Sequence, residues 1–380
     1  MTPMQFRSTY FPQLANRVYL AACSLGARSV ALDRAMTAML DAMQQDEPAW
    51  SAFEEETQQV RARLAKLIGA RVDQIALLPN ASVGAYQVVS TLRWDERQAL
   101  LYSDREFPSI AHVWLAQKAR GARPQAIRNA GRHADMAAQY AQRIERGTRF
   151  VSIPHTSYLD GKTLPVKQIA ACARSAGARV FVDAYQAVGV QAIDVGELDC
   201  DYLVGGTMKY LLGLPGLAFL FARDGVGNDL DPQLTGWFGR KWPFDFDAAT
   251  LDFPNGASRF ETGTPSVPSI YAANAGLSLI GDLNPHLVRE HVASLIDYAS
   301  EKLLSQGETL LHIPRRAEHG AHLALADASP AALDACLRKH GIVASPRGNA
   351  LRLSFHYYND ASDIDFFCEA LKRCRKTSTS

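Results

Sequence analysis

No stretch of this 380-residue chain approaches the roughly 18 consecutive apolar residues of a membrane helix, so a spanning segment is not expected. The first residues, MTPMQFRSTYFPQLANRVYLAACSLGA, lack a basic start followed by an apolar run, which argues against a secretory signal. Neither sign of charge dominates. There are 40 Lys and Arg against 39 Asp and Glu, and no block of like charges. That balance counts against a nucleic-acid or membrane-surface partner. Cysteine is sparse: Cys23, Cys172, Cys200, Cys336, Cys368 and Cys374 form no C-x-x-C and no paired histidine spacing. Neither a zinc site nor a disulfide framework is expected from them. The glycine fingerprint of a nicotinamide site, G-x-G-x-x-G after the first strand, is missing as well. What remains is a reduced, cytoplasmic protein of enzyme size, 47% hydrophobic and able to bury a large core.

Short apolar runs alternate with helix-like stretches. QIALLP (74–79), QALLYS (98–103), RFVSIP (149–154), ARVFVDA (178–184), DYLVGG (201–206) and LAFLFAR (217–223) read as strands. Several show no inside/outside alternation, as suits strands covered on both faces. VGAYQVVSTL (83–92) and PVKQIAACARSAGA (165–178) read as helices between them. The rhythm predicts an α/β fold with a mainly parallel sheet, whose ligands gather at the carboxyl ends of the strands. It breaks near residue 224 into LTGWFGRKWPFDFD, and one long helix is expected from about Ile270 to Leu304. The division expected is an N-terminal segment 1–30 contributing to the small domain, a large domain 31–270, and a small α+β domain 271–380.

One strand ends in a charge. In VDAYQAVGV the apolar run Val180–Val182 finishes at Asp183, where a helix cap is the ordinary explanation. Lys209, in VGGTMKYLLGLPG, follows one β–α–β interval later among small and apolar residues. An amine so placed is desolvated, has a lowered pKa and can act as a nucleophile. Pyridoxal phosphate uses this pair of groups, a lysine on its aldehyde and an acid on its pyridine nitrogen. LLPNASVGAYQVV then offers a phosphate site, with Asn80, Ala81 and Ser82 opening a helix just after a strand. Phe107, in DREFPSIAHVW, can stack on the pyridine face. Arg352, in LRLSFHYYN, can take a substrate carboxylate in two-point fashion. His112, Tyr158, Trp242 and Tyr357 are candidates for shaping the side-chain pocket, or simply pack.

At these residues the chain resembles fold-type I pyridoxal-phosphate enzymes of the aminotransferase class V group. VDAYQAVGV, VGGTMKYLLGLPGLAFLF, RFETGTPSV and LRLSFHYYNDASDID occur in the group's order and approximate spacing. The fold implied is that of the aspartate aminotransferases, with a seven-stranded sheet. Within the group, VYLAACSLGA, EFPS, KYLLGLPG and GWFGR are similar to segments of kynureninases. The resemblance implies Lys209 as the cofactor lysine, Asp183 under the ring nitrogen, Gln186 on the ring hydroxyl and Phe107 stacked. It also implies Ser24 and Arg352 on the substrate, and Trp237 and Thr264 reaching a neighbouring subunit's site in a homodimer. No metal is implied. The reaction it favours is kynureninase-like hydrolysis, releasing alanine and an aromatic acid. Met208, Ile110 and Gln186 depart from the kynureninase pattern, where Tyr, Asp and His are usual. Transamination and cysteine C–S cleavage are the rivals on the same scaffold, and a non-catalytic cofactor-binding protein is the rival of another class. Persulfide chemistry is not expected, because Ser345 and Arg347 occupy the loop where desulfurases carry a cysteine.

Overall fold

In the computed structural model of the chain, residues 1–44, 49–128, 135–226, 229–315 and 318–378 are described. The twelve strands among them are β1 (Val18–Tyr19), β2 (Ile75–Leu78), β3 (Ala99–Ser103), β4 (Arg123–Ile127), β5 (Thr148–Pro154) and β6 (Arg179–Asp183), then β7 (Tyr202–Gly206), β8 (Ala218–Ala222), β9 (His322–Ala326), β10 (Ile342–Val343), β11 (Ser345–Arg347) and β12 (Ala350–Ser354). The main sheet has seven strands in the order β2-β8-β7-β6-β5-β3-β4. Only β8 runs against its neighbours β2 and β7. The expected architecture is therefore present: a mainly parallel seven-stranded sheet and a smaller C-terminal α+β part.

Alternate residues of β6 explain why the strands read as unbroken apolar runs. Val180 and Val182 enter one hydrophobic core with Leu101, Val151 and Phe219. Phe181 enters a second, on the opposite face, with Leu100, Phe150, Tyr202 and Leu220. Both faces are covered by helices, so no face is left polar. β4 escaped sequence reading for the converse reason. It is the edge strand, carries Pro124, and buries only Ile127. An edge strand needs no apolar run and tolerates proline.

The helix expected from Ile270 to Leu304 is two helices, Val267–Gly281 and Pro285–Ser305. Asn284 breaks it: its side chain accepts hydrogen bonds from the His286 and Leu287 amides, and Pro285 follows at the first helical position. The first of these helices spans the position expected to divide the domains. Ile270, Ala273 and Leu277 share a core with the main sheet, while Leu279 and Ile280 join the C-terminal core. In that core Phe6, Phe11 and Leu14 pack with Ile296, Leu323, Leu351 and Phe367 around the antiparallel sheet β11-β12-β9.

One cysteine expectation is overturned. Cys336 and Cys374, 38 residues apart, are joined in a disulfide. Spacing could not reveal it, because the pair meets only through packing of the helices Pro330–Lys339 and Ala361–Ser378. No helix among the described residues is long and apolar enough to cross a membrane.

Candidate active site

The carboxyl ends of β2, β3, β5, β6 and β7 open on one edge of the main sheet, and a cavity of about 310 Å³ lies there. Each strand delivers wall residues as it ends: Asn80, Ala81 and Ser82 after β2, Phe107 after β3, Asp183 and Gln186 at β6, and Lys209 after β7. Ser24 from the N-terminal segment and Arg352 from β12 close it from the other side. Nine of the residues singled out in the sequence are thus brought together. Trp237 and Thr264 are not. Trp237 stacks among Trp50, Phe238, Phe244 and Phe246, and Thr264 lines a separate groove with Phe53 and Arg61. Of the four pocket-shaping candidates only Tyr158 lines the cavity. The Tyr357 hydroxyl donates instead to the Met1 carbonyl.

Lys209 is buried. Its amine has no hydrogen-bond or ion partner among the described residues, only the rings of Tyr185 at 4.4 Å and Phe107 at 5.7 Å. Burial pushes its pKa down to about 8, against the opposing pull of the Asp183 charge. Selective acylation is the expected consequence. About one amine in ten is neutral at pH 7 for such a group, against about one in a few thousand for an ordinary lysine. Lys209 should label first with a small acylating reagent. Its rate should rise tenfold per pH unit and level off near pH 8, while surface lysines climb on toward pH 10. Mass spectrometry of the labelled peptides at each pH checks this.

Asp183 is buried at the end of β6, and its Oδ1 accepts the Tyr185 amide at 2.9 Å. It is therefore not the cap of a following helix. Burial raises its pKa, while the Tyr185 amide and the Lys209 charge lower it. Behind it stands Glu106, which sequence reading passed over. Its Oε1 accepts the Ser152 hydroxyl at 3.0 Å, and Trp114 also acts on the carboxylate. Burial first, and the Asp183 charge second, hold the Glu106 carboxyl well above its usual range. The signal was a glutamate directly before Phe107 at a strand end.

Asn80 combines the two roles weighed for it. Its side chain caps the helix Ala81–Ser90 by accepting the Val83 amide at 3.0 Å, and it also lines the cavity. The first amides of that helix, those of Ala81 and Ser82, have no intrahelical acceptor and face an electropositive helix start. Gln186 donates from Nε2 to the Cys23 carbonyl at 3.0 Å, and its buried Oε1 has no partner among the described residues. Arg352 is only 1% exposed, which rules out a solvated edge residue. Its Nη1 donates to the Tyr158 carbonyl and its Nη2 to Ser345 Oγ, both at 2.7 Å.

The approach of the chain to Lys209 is close. The Gly26 amide donates to the Met208 carbonyl at 2.7 Å, and a Cβ on Gly26 would lie 2.4 Å from the Lys209 carbonyl oxygen. Gly206 matters in the same way, since a Cβ there would meet the Tyr185 ring at 2.0–2.3 Å. Gly206→Ala is expected to swing that ring off Lys209 and destabilise the fold by about 1–3 kcal/mol through overpacking. Denaturant unfolding reads the stability, and the acylation rate of Lys209 reads the loss of the ring contact.

The family model described as aminotransferase class-V matches residues 42–367. An uncharacterized aminotransferase, YcbU of Bacillus subtilis (strain 168), is 34% identical over 379 residues, covering 95% of each chain. A kynureninase of Deinococcus radiodurans is 29% identical over 311 residues, covering 78% of this chain and 73% of its own. Among solved structures, a lysine-to-alanine mutant of C-DES with glycine covalently linked to its PLP cofactor is similar in fold. It has a TM-score of 0.88 at 22% identity, over 96% of this chain and 98% of that one.

Proposed function

Because the chain belongs to the aminotransferase class-V family, we propose that it binds pyridoxal 5′-phosphate at Lys209 and transfers the amino group of an L-amino acid. The observation that carries this reading is the Lys209 amine: buried, without a hydrogen-bond or ion partner among the described residues, held near pKa 8, and close enough to Asp183 to feel its charge. Three features of the cavity fit the cofactor. The amine without a hydrogen-bond partner among the described residues suits its aldehyde, the helix start at Ala81 and Ser82 suits its phosphate, and the Gln186 Oε1 suits its ring hydroxyl. When bound, the cofactor supplies an electron sink for the α-carbon of the amino acid.

The roles of the chain's own residues follow. Asp183 holds a positive charge at the ring-nitrogen end, and Phe107 orients the ring. Arg352 fixes the α-carboxylate, so that the α-hydrogen faces Lys209. The Lys209 amine would take that proton from the α-carbon and deliver it to the carbon that bore the cofactor's aldehyde, since return to the α-carbon would only regenerate the amino acid. A group near pKa 8 does both at neutral pH, because its acid and base forms are both populated. Amino-group transfer needs no further acid or base.

The hydrolytic reading suggested by the kynureninase-like segments stands second. It needs an additional acid–base group beyond the α-carbon, and the cavity offers the phenols of Tyr158, edge-on to Phe107 at 5.2 Å, and of Tyr185. The three departures supply none: Met208 is thioether, Ile110 is buried in a core, and the Gln186 amide is committed to Cys23. A shared site in a homodimer is part of the proposal. Exposed Trp242, Phe244 and Phe246, beside Trp237, form an aromatic surface that suits a second copy.

The test is reconstitution with pyridoxal phosphate, then borohydride reduction and peptide mapping. Label on Lys209, with keto acid formed from an amino-acid panel, supports transamination. Steady anthranilate release from L-kynurenine without keto acid would favour the hydrolase. Label elsewhere, or none, overturns the reading.

A further inference from the structure

Charge around the cavity does not balance. Five charged side chains line it: Arg105, Asp183, Lys209, Arg347 and Arg352. Arg105 is matched, since its Nη1 lies 3.0 Å from the buried Asp160 carboxylate and its Nε 3.8 Å from Asp104. Lys209 is faced by Asp183. Among the described residues Arg352 meets neutral acceptors alone, and in the reading above its charge awaits the substrate α-carboxylate. The phosphate is placed at the start of the helix Ala81–Ser90. Arg347 is then left over. It has no hydrogen-bond or ion partner among the described residues.

Arg347 is solvent-exposed where it lines the cavity, yet its backbone position is fixed. β11 and β12 pair antiparallel with Ser345 opposite Arg352, and Arg347 lies two residues beyond Ser345 on the same strand. Side chains two apart on a strand share a face, as do directly opposed ones, so Arg347, Ser345 and Arg352 project from one face of the sheet. Diagonal neighbours of this kind stand about 7–8 Å apart. Arg347 ends its strand at a two-residue turn in which Gly348 has φ +57°, and this hairpin fixes where the guanidinium starts. Both guanidiniums are near enough to Lys209 to press its pKa down. Two like charges on one face of a rigid hairpin, beside a third in a cavity, repel one another. Anions between them relieve that repulsion.

We propose that Arg347 forms a subsite for a second anionic group, so that the preferred substrate is an amino acid with an acidic side chain. This rests on the amino-acid reading of the site and not on which reaction follows. Arg352 takes the α-carboxylate and Arg347 the distal carboxylate, or a sulfinate of like shape. A neutral aromatic side chain would leave Arg347 to solvent and gain nothing from it.

Calorimetric titration of the reconstituted protein with non-reacting ligands tests it. Glutarate and succinate are compared with valerate and butyrate, which have the same chain lengths and one carboxylate. The wild type is expected to bind the dicarboxylates about 10- to 100-fold more tightly, the range of a charge-assisted hydrogen bond. Arg347→Gln should abolish that preference and leave monocarboxylate affinity and cofactor absorbance unchanged, which also shows the variant to be folded. Arg347→Lys should retain part of it. Equal binding of the two ligand classes by the wild type overturns the subsite while the amino-acid reading stands. So does an equal loss of both classes in Arg347→Gln, since that would reveal only a general field. Failure of every carboxylate to bind would strike the amino-acid reading itself, and the subsite with it.

Discussion

Lys209→Ala should lower turnover by at least about 10⁴-fold, the upper range for loss of a general acid–base group, and should end covalent retention of the cofactor. Turnover of the amino acid and borohydride trapping read the two losses separately. A small primary amine added to the variant should restore part of the rate. That rescue should rise with pH as the added amine loses its proton, which a merely structural lysine would not show. The same site makes an opposite forecast for stability. A buried ammonium without a partner is costly, and a lysine held near 8 rather than 10.5 costs the folded apoprotein about 3 kcal/mol below pH 8. Lys209→Met, which fills the space without the charge, should therefore raise apoprotein stability by about 2–3 kcal/mol at pH 7. The sign with pH follows. Between about 8 and 10.5 the native amine is neutral while the unfolded one still binds a proton, so wild-type stability climbs and the gap to the variant closes. Denaturant melts at pH 7 and pH 10 measure this. A variant that keeps a tenth of the activity, or a Lys209→Met protein less stable than wild type, would remove Lys209 from the role given to it.

Asp183→Asn should cost about 10²- to 10³-fold in turnover, the range for removing one electrostatic partner from a reacting centre. The substitution keeps the shape and still lets Oδ1 accept the Tyr185 amide, so the fold should persist. Two further shifts separate loss of charge from loss of structure. Asp183 supports the Lys209 ammonium, so without its charge the midpoint for labelling Lys209 should fall below about 8 in the apoprotein. Asp183 also raises the Glu106 carboxyl, which should ionise at lower pH in the variant. The labelling profile of Lys209 against pH is the direct measurement. A midpoint that stays put or rises would mean that Asp183 does not face the amine electrostatically.

The sequence carried the central pair because their chemistry contradicts their surroundings. A carboxylate closing an apolar strand and a lysine among glycines and leucines are both costly unless something uses them, which made Asp183 and Lys209 legible one at a time. Asn80 and Ser82 were legible because a polar pair after a strand has few jobs besides opening a helix. Tyr185 and Glu106 were harder. Each stands beside a chosen residue, but an aromatic or a glutamate at a strand end signals nothing until its ring or carboxyl is seen to face the amine or Asp183. Trp237 and Thr264 were named from resemblance alone, and both lie outside the cavity of their own chain.

Local pattern therefore determined most strands, the α/β class and the placement of Lys209 and Asp183 at neighbouring strand ends, since strand burial and desolvated charge are written into neighbouring residues. Tertiary structure alone decided the edge strand Arg123–Ile127, the break at Asn284, and the Cys336–Cys374 bond. It also decided that Arg352 is buried while Arg347, at the same cavity, is exposed and has no hydrogen-bond or ion partner among the described residues. Each of these depends on which distant segments meet. Sheet order, helix packing and the balance of charge around a cavity are sums over residues far apart in the chain, and no short stretch contains them.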